Sequence, residues 1–528
     1  MYDLAFRGAT VLDGTGSPGY RADVAVQHGR IADIGERLDA TRVIDADGRV
    51  LSPGFIDMHA HSDLAVLAEP EHLAKISQGV TTEVLGQDGL SYAPITDPAL
   101  PLLREQIAGW NGYPEFDISW RTVAEYLAEL DRGIAVNACY LVPQGTVRLL
   151  AVGWQNRPPT DAELTEQQTL IADGLNAGAV GLSSGLTYLP GGYADDDELV
   201  ALCRVVAEHG GFFAPHHRSY GAGALTAYAD MIAVARRAGC ALHLAHATMN
   251  FPLNAGRAGE LLALLDSASD VDLSLDSYPY TAGSTTLAAL LPSWVAEGGP
   301  AAIRQRLENP ELCERIQHDL EVTGSDGCHG VPVDWATIRI SGTADPTLSG
   351  AVGRTVAELA VERGQAAMVV FSQLLLDDSL ATSITQHVGD EANVQQIMTH
   401  SAHTGGSDGL LVGARPHPRA WGTFPRYLGR YVRELGVLSL PEAIAHLTGR
   451  PARRLRLVRR GQIQLGWHAD LVLFDPARVE DRATFENPRA QSVGIEQVLV
   501  NGVLVLDDGR STGDRPGHSL RAGTGGTR

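Results

Sequence analysis

The spacing of apolar residues divides the chain into two kinds of segment. Near the start, "LAFRGATVLDG", "ADVAVQHGRIADIGE" and "TRVIDADGRVLSP" alternate apolar and polar positions and are broken by Gly and Asp turns. Alternation sends every second side chain to one face, so these segments predict short strands of a half-buried sheet. "GQIQLGWHADLVLFDP" and "EQVLVNGVLVLDDG" repeat the pattern near the end, with "NG" and "DG" as hairpin turns. Neither end holds enough strands to be stable alone. Together they predict one small β-domain built from residues 1–52 and 453–512.

Residues 53–452 have a different rhythm. Compact apolar runs, "GFIDMHAH", "TTEVLG", "AVNACYLV", "AVGLSS", "GFFAPHH", "ALHLAHA", "VDLSLDSYPY" and "QQIMTHS", predict buried strands. Between several of them lie segments with helical spacing, "DAELTEQQTLIADGLNAG", "DDELVALCRVVAEHG" and "ALTAYADMIAVARRAG", and another, "LPEAIAHLTG", follows the last. Strands alternating with helices over this length predict an α/β fold, a (β/α)8 TIM-like barrel. The stretch from about Leu291 to Gly350 is too long for one loop of such a barrel. Long insertions are often lids, so residues 291–350 are expected to cap the barrel mouth. The Gly-, Ser- and Arg-rich residues 513–528 predict a flexible tail.

Charge narrows the class of partner. The formal net charge of the 528-residue chain is −22, which argues against nucleic acid or an anionic membrane and leaves small molecules. Five cysteines are scattered without a CxxC pair, and the N-terminus lacks a signal-peptide pattern. Both features predict a cytoplasmic protein with reduced thiols. Lys75 is the only lysine in the chain.

Histidines cluster at the ends of the predicted strands. In "IDMHAHSD", His59 and His61 are two apart and share one face of a strand, with Asp57 and Asp63 on that face if the strand persists. Imidazole is a common ligand of zinc and related divalent ions, although an HxH pair alone is a weak signal. "GFFAPHHRS" holds His216 and His217, and "ALHLAHATM" holds His243 and His246. Their odd spacing turns one histidine of each pair inward and leaves the other as a hydrogen-bonded structural residue. Asp408 follows the last predicted strand in "HSAHTGGSDG", where a carboxylate could bind metal and accept a proton. Barrel enzymes keep their chemistry at these strand ends.

Longer motifs are more specific. "SPGFIDMHAHSD", "GVTTEVLGQDG", "GAVGLSSGLTYLPGGYA", "YPYTAGSTTL" and "GSDG…HPRAWGTFPRYLGRYVRE" resemble the amidohydrolase superfamily, and within it the D-aminoacylase (N-acyl-D-amino-acid deacylase) family. The resemblance implies a metal-dependent hydrolase that cleaves the amide of N-acyl-D-amino acids. By that resemblance His59 and His61 bind one metal, His216 and His246 bind a tighter zinc, and Asp408 is a general base that also touches metal. Arg419 grips the substrate carboxylate, helped by Tyr278 and Ser284.

Two positions depart from the family pattern. Asp88, in "GQDG", stands where the family has a zinc-binding cysteine, and Gln144 stands where it often has histidine. A carboxylate can bind or bridge metal ions and is harder than a thiolate, so manganese or cobalt become alternatives to zinc. "DG" is also a common turn, so Asp88 could instead be a turn residue. A carboxylated lysine is disfavoured, because Lys75 falls on a predicted helix. Two other readings stay open: an amidohydrolase acting on a cyclic amide or imide, and a metal-free, non-catalytic homologue.

Overall fold

The computed structural model describes residues 1–522. Both chain ends enter one nine-stranded sheet. Its seam is Val50–Pro53, which runs parallel to Tyr2–Val11 on one side and antiparallel to Leu471–Phe474 on the other. Leu51, Phe6, Leu471 and Leu499 share its apolar core, so each end completes the other.

The centre of the chain forms eight parallel strands. We number them β1 (Phe55–Asp57), β2 (Val80–Leu85), β3 (Asn137–Pro143), β4 (Gly181–Gly185), β5 (Phe212–His216), β6 (Ala241–Leu244), β7 (Leu273–Ser277) and β8 (His403–Gly405). Each pairs with the next in sequence, as a right-handed βα series requires. The ring closes between β1 and β8. Met58 N–H donates to Gly405 C=O at 3.1 Å, and Asp408 N–H donates to His59 C=O at 2.7 Å. The fold is the expected TIM-like barrel.

Two elements differ from the sequence expectation. "QQIMTHS" is not the last strand. Glu391–Met398 is a helix, started by the Asp390 carboxylate accepting from Asn393 N–H, and it buries Val394, Ile397 and Met398 at helical spacing. The true β8 is "HTG", only three residues long and without an apolar run. β1 also stops at Asp57, so His59 and His61 are loop residues just beyond it rather than strand neighbours.

Over the barrel mouth, Gly283–Thr286, Ser383–Gln386 and Ile338–Gly342 form a three-stranded antiparallel sheet. The apolar cluster of this layer runs from Leu287 to Ile384, so it draws on residues beyond 291–350. At the other end of the barrel, part of the stretch expected to be flexible is pinned. Gly517 N–H donates to Ile134 C=O, Leu520 N–H donates to Ala138 C=O, and Ser519 donates to the Asp131 carboxylate. Residues 523–528 lie outside the described residues. Among the described residues, no single helix is long and apolar enough to cross a membrane.

A buried ion pair reinforces the closure. Lys75 Nζ donates to Asp57 Oδ2 at 2.6 Å and to Ser407 Oγ at 2.9 Å, while Ser407 N–H donates to Asp57 Oδ1 at 2.8 Å. Lysine and aspartate are both fully buried. The single lysine thus ties β1 to the residues after β8. Lys75→Met strands the Asp57 charge in the interior and is expected to destabilise the protein by about 3–5 kcal/mol. Equilibrium unfolding in guanidinium checks this. A change below about 1 kcal/mol, typical of an exposed pair, would remove the pair from the account of closure.

Candidate metal centre

The C-terminal ends of the strands converge on Asp88. Its backbone sits in a tight turn after β2, at φ +54° in the left-handed region. Gly86 and Gly89 flank it at φ +76° and +71°, where other residues would be strained. Gly89 also lies so close to β4 that a Cβ there would meet Gly185 N at 2.6 Å. The turn is held by Gln87 Nε2 donating to Met58 C=O at 2.7 Å and by Asp63 Oδ1 accepting from Gly86 N–H at 2.9 Å. "GQDG" is therefore a turn that aims a carboxylate into the barrel. His246 and Asp408 are left-handed as well, at φ +32° and +47°. Strain of this kind clusters at functional sites.

Four imidazoles surround Asp88. Asp88 Oδ1 lies 3.4 Å from His59 Nε2 and 3.5 Å from His246 Nε2. Asp88 Oδ2 lies 3.5 Å from His216 Nδ1 and 3.7 Å from His61 Nε2. Asp408 Oδ1 lies 3.1 Å from His61 Nε2 and 3.7 Å from His59 Nε2. Most of these gaps are too long for hydrogen bonds. They match the separation, about 3.4 Å, of two ligands each 2.0–2.1 Å from one tetrahedral ion. Donor atoms of His59, His61, Asp88 and Asp408 lie within 4.8 Å of one another, as do those of Asp88, His216 and His246. Asp88 belongs to both groups. His59 leaves both ring nitrogens, and Asp88 its Oδ1, buried without a hydrogen-bond partner. Orphaned donors in such a cluster fit a pair of divalent ions.

The electrostatics agree. Burial alone would lower the His59 pKa, but the carboxylates of Asp88, Asp408 and Asp276 outweigh it and push it up to about 9. Asp88 resists burial, because His59, His216 and His246 hold it well below the usual carboxylate range. Burial lowers His216. The cluster thus calls for positive charge, which a proton on His59 or a metal ion supplies.

Not every residue singled out in the sequence joins the cluster. Asp57 belongs to the Lys75 pair, and Asp63 accepts from Ser91 Oγ and the Gly86 amide. Gln144 is fully buried with both amide atoms unpartnered, outside both ligand groups. His243 is the hydrogen-bonded structural histidine, joined to Ser274 and Asp276. His217 packs between Tyr220 and Tyr228 instead, with both ring nitrogens unpartnered.

Beside the cluster lies the second predicted group. Arg419 is fully buried, and its Nη2 pairs with Asp408 Oδ2 at 2.8 Å. Its Nε and Nη1 have no partner. The guanidinium lies 4.4 Å over the Tyr278 ring, and its Nη2 reaches the Ser284 carbonyl at 3.4 Å. The Ser284 hydroxyl donates within the cap sheet, to Ile384 C=O. Burial opposes ionisation of Asp408, but Arg419 and His59 keep its pKa below the ordinary value.

Sequence reasoning missed Asp276 on β7. Its Oδ1 accepts from His246 N–H at 3.0 Å, and its Oδ2 lies 3.1 Å from His243 Nε2 and 3.6 Å from His59 Nδ1. Such a carboxylate fixes the orientation of a ligand imidazole. The available signal was an acid inside the apolar strand "VDLSLDS". Thr187 was missed too; its Oγ1 is 2.7 Å from His216 Nε2.

A family model described as "Amidohydrolase family" matches residues 42–300 and 317–506. The chain belongs to the amidohydrolase family. This amidohydrolase is 36% identical to the D-aminoacylase of Alcaligenes xylosoxydans xylosoxydans, over 98% of this chain and 97% of the relative. It is 37% identical to the N-acyl-D-glutamate deacylase of the same organism, over 98% and 96%. Among solved structures it matches the N-acyl-D-glutamate deacylase of Bordetella bronchiseptica complexed with zinc and a phosphonate inhibitor. There the TM-score is 0.83 at 36% identity, covering 99% of this chain and 100% of the other. A D-aminoacylase described as having a binuclear metal centre matches at TM-score 0.83 and 35% identity, with coverage of 99% and 100%. The amidohydrolase lies within the D-aminoacylase branch.

An ion bound through His59 would have to displace its proton, so protons and metal would compete below about pH 9. Apparent zinc affinity is expected to rise roughly tenfold per pH unit for each proton released, and to level off above that pH. Competition with a chromophoric chelator measures it. Affinity independent of pH between 6.5 and 8.5 (roughly the window in which a proton with this pKa competes) would remove His59 from the ligand set.

Proposed function

We propose that this chain is a metal-dependent hydrolase that cleaves the amide of N-acyl-D-amino acids, releasing a carboxylate and a free D-amino acid. The observation that carries the reading is Arg419. A fully buried guanidinium with two unpartnered nitrogens lies one ion pair from a histidine and carboxylate cluster. Leaving a buried arginine unsatisfied is costly, so the position suits an anionic substrate group. An α-carboxylate is the anion that N-acyl amino acids offer. The D configuration is taken from the relatives named as D-aminoacylase, N-acyl-D-glutamate deacylase and N-acyl-D-aspartate deacylase.

We assign His216, His246 and Asp88 to a tight zinc, and His59, His61, Asp88 and Asp408 to a second, weaker ion. Because Asp88 offers oxygen where thiolate is softer, manganese or cobalt also suit the site. When bound, such ions supply Lewis acidity that polarises the amide carbonyl and acidifies water. Asp408, kept ionised by Arg419, takes a proton from the attacking water at Oδ1. It then returns that proton to the leaving nitrogen. Arg419 Nε and Nη1 hold the α-carboxylate, and the Tyr278 face supports the guanidinium. The Arg419–Asp408 ion pair fixes the spacing between the carboxylate anchor and the proton-transfer point. The cap layer keeps bulk water out. Five unpaired cysteines suit a reducing compartment, and we place the enzyme in the cytoplasm.

Two measurements test this reading. N-acetyl-D-amino acids should be hydrolysed after loading with zinc, manganese or cobalt, and turnover confined to L substrates would refute it. Asp408→Asn should lower kcat by about 10²–10⁴, the usual share of a general acid–base. Retention of wild-type kcat would remove Asp408 from proton transfer.

A further inference from the structure

The three relatives of similar identity carry different names: D-aminoacylase, N-acyl-D-glutamate deacylase and N-acyl-D-aspartate deacylase. Identity does not separate them. A cavity of about 210 Å³ does, and this inference rests on the deacylase reading above.

The cavity lies between the cap and the barrel loops. Its walls are mostly apolar, with Trp110, Leu186, Tyr188, Leu291 and Ile303 prominent. It adjoins the metal centre directly. The Trp110 ring lies 5.2 Å from His61, and the Tyr188 ring lies 4.8 Å from His216. It adjoins the carboxylate anchor as well. On the cap strand Gly283–Thr286, Ser284 gives its carbonyl to Arg419, Thr285 Oγ1 lies 3.0 Å from Tyr188 Oη, and Thr286 lines the cavity. The cavity therefore flanks the path from Arg419 to the histidines. A substrate held by its carboxylate at Arg419 and by its amide at the cluster would have its α-carbon on that path, and its acyl group on the far side of the amide carbon.

We infer that this cavity receives the side chain of the D-amino acid, and that the enzyme selects aromatic and branched apolar side chains over acidic ones. Size allows it, since an apolar cavity of about 150 Å³ accepts a benzene ring. Charge disfavours the alternative. Arg218 is the only cation lining the cavity among the described residues, and it is committed to Asp196 Oδ1 at 2.9 Å and Ala194 C=O at 2.9 Å. Asp326 also lines the cavity and would repel a second carboxylate. A glutamate or aspartate side chain would lose its hydration there and meet no free cation among the described residues, with the unpaired Trp154 indole N–H as a neutral donor left over.

The test is a kcat/KM series on the zinc-loaded enzyme with N-acetyl-D-phenylalanine, -leucine, -alanine, -glutamate and -aspartate. A second arm lengthens the acyl group from acetyl to hexanoyl on D-alanine. Phenylalanine and leucine are expected to exceed alanine by about tenfold or more, and the acidic substrates by about 100-fold. Ala289 lines the cavity. Ala289→Trp should penalise the D-phenylalanine substrate at least about tenfold more than the D-alanine one. Ala289→Arg should shift preference toward D-glutamate, supplying the missing cation. A preference for D-glutamate or D-aspartate in the wild type would overturn this inference and leave the deacylase reading intact. A gain confined to the acyl arm would also overturn it. No turnover of any N-acyl-D-amino acid would remove both.

Discussion

The site is organised by one buried carboxylate that needs positive charge around it. Asp88 is almost wholly removed from water and lies among four imidazoles, with the Asp408 carboxylate nearby. A buried anion of this kind is tolerated only where cations or metal ions answer it. The barrel is arranged to provide them. β5 delivers His216 at its end, the loop after β6 delivers His246, and the loop after β1 delivers His59 and His61. Closure of β1 on β8 then brings Asp408 to the same point, 347 residues along the chain from His61. The bond from Asp408 N–H to the His59 carbonyl is part of both the ring closure and the site.

A second chain of contacts links this centre to the cap. Asp408 shares its two oxygens between His61 and Arg419, and Arg419 rests on Tyr278 and reaches the cap strand through Ser284. The histidine cluster, Asp408, Arg419 and the cap strand are therefore in successive contact. A shift of the cap strand would be felt by Arg419, and through Asp408 by the histidines.

Much of this was legible in the sequence because the barrel writes its strands as apolar runs and its site as polar residues at their ends. His59, His61, one histidine each of the pairs His216/His217 and His243/His246, and Asp408 stood out as metal-type residues in that setting, and family resemblance picked out His216 and His246 and gave the set its roles. Arg419, Tyr278 and Ser284 became visible only through the resemblance. β8 was misplaced because three residues, "HTG", carry no period, while the neighbouring helix is apolar enough to imitate a strand. Asp276 was overlooked because its role depends on His59 and His243, both distant in sequence. The stretch 513–522 reads as flexible by composition, yet its backbone amides and carbonyls find partners on the barrel. Asp88 was ambiguous for a physical reason: a turn and a ligand are compatible, and the structure uses the strained turn to aim the carboxylate.

Asp88 belongs to both donor groups, so the two proposed metal sites would share it. Crystals grown with excess zinc and measured with anomalous diffraction at the zinc edge address it directly. The expected map shows two zinc peaks, each within about 2.0–2.2 Å of an Asp88 oxygen. Zinc bound by the histidines with both Asp88 oxygens more than about 3 Å from every ion, well beyond a coordination bond, would contradict it.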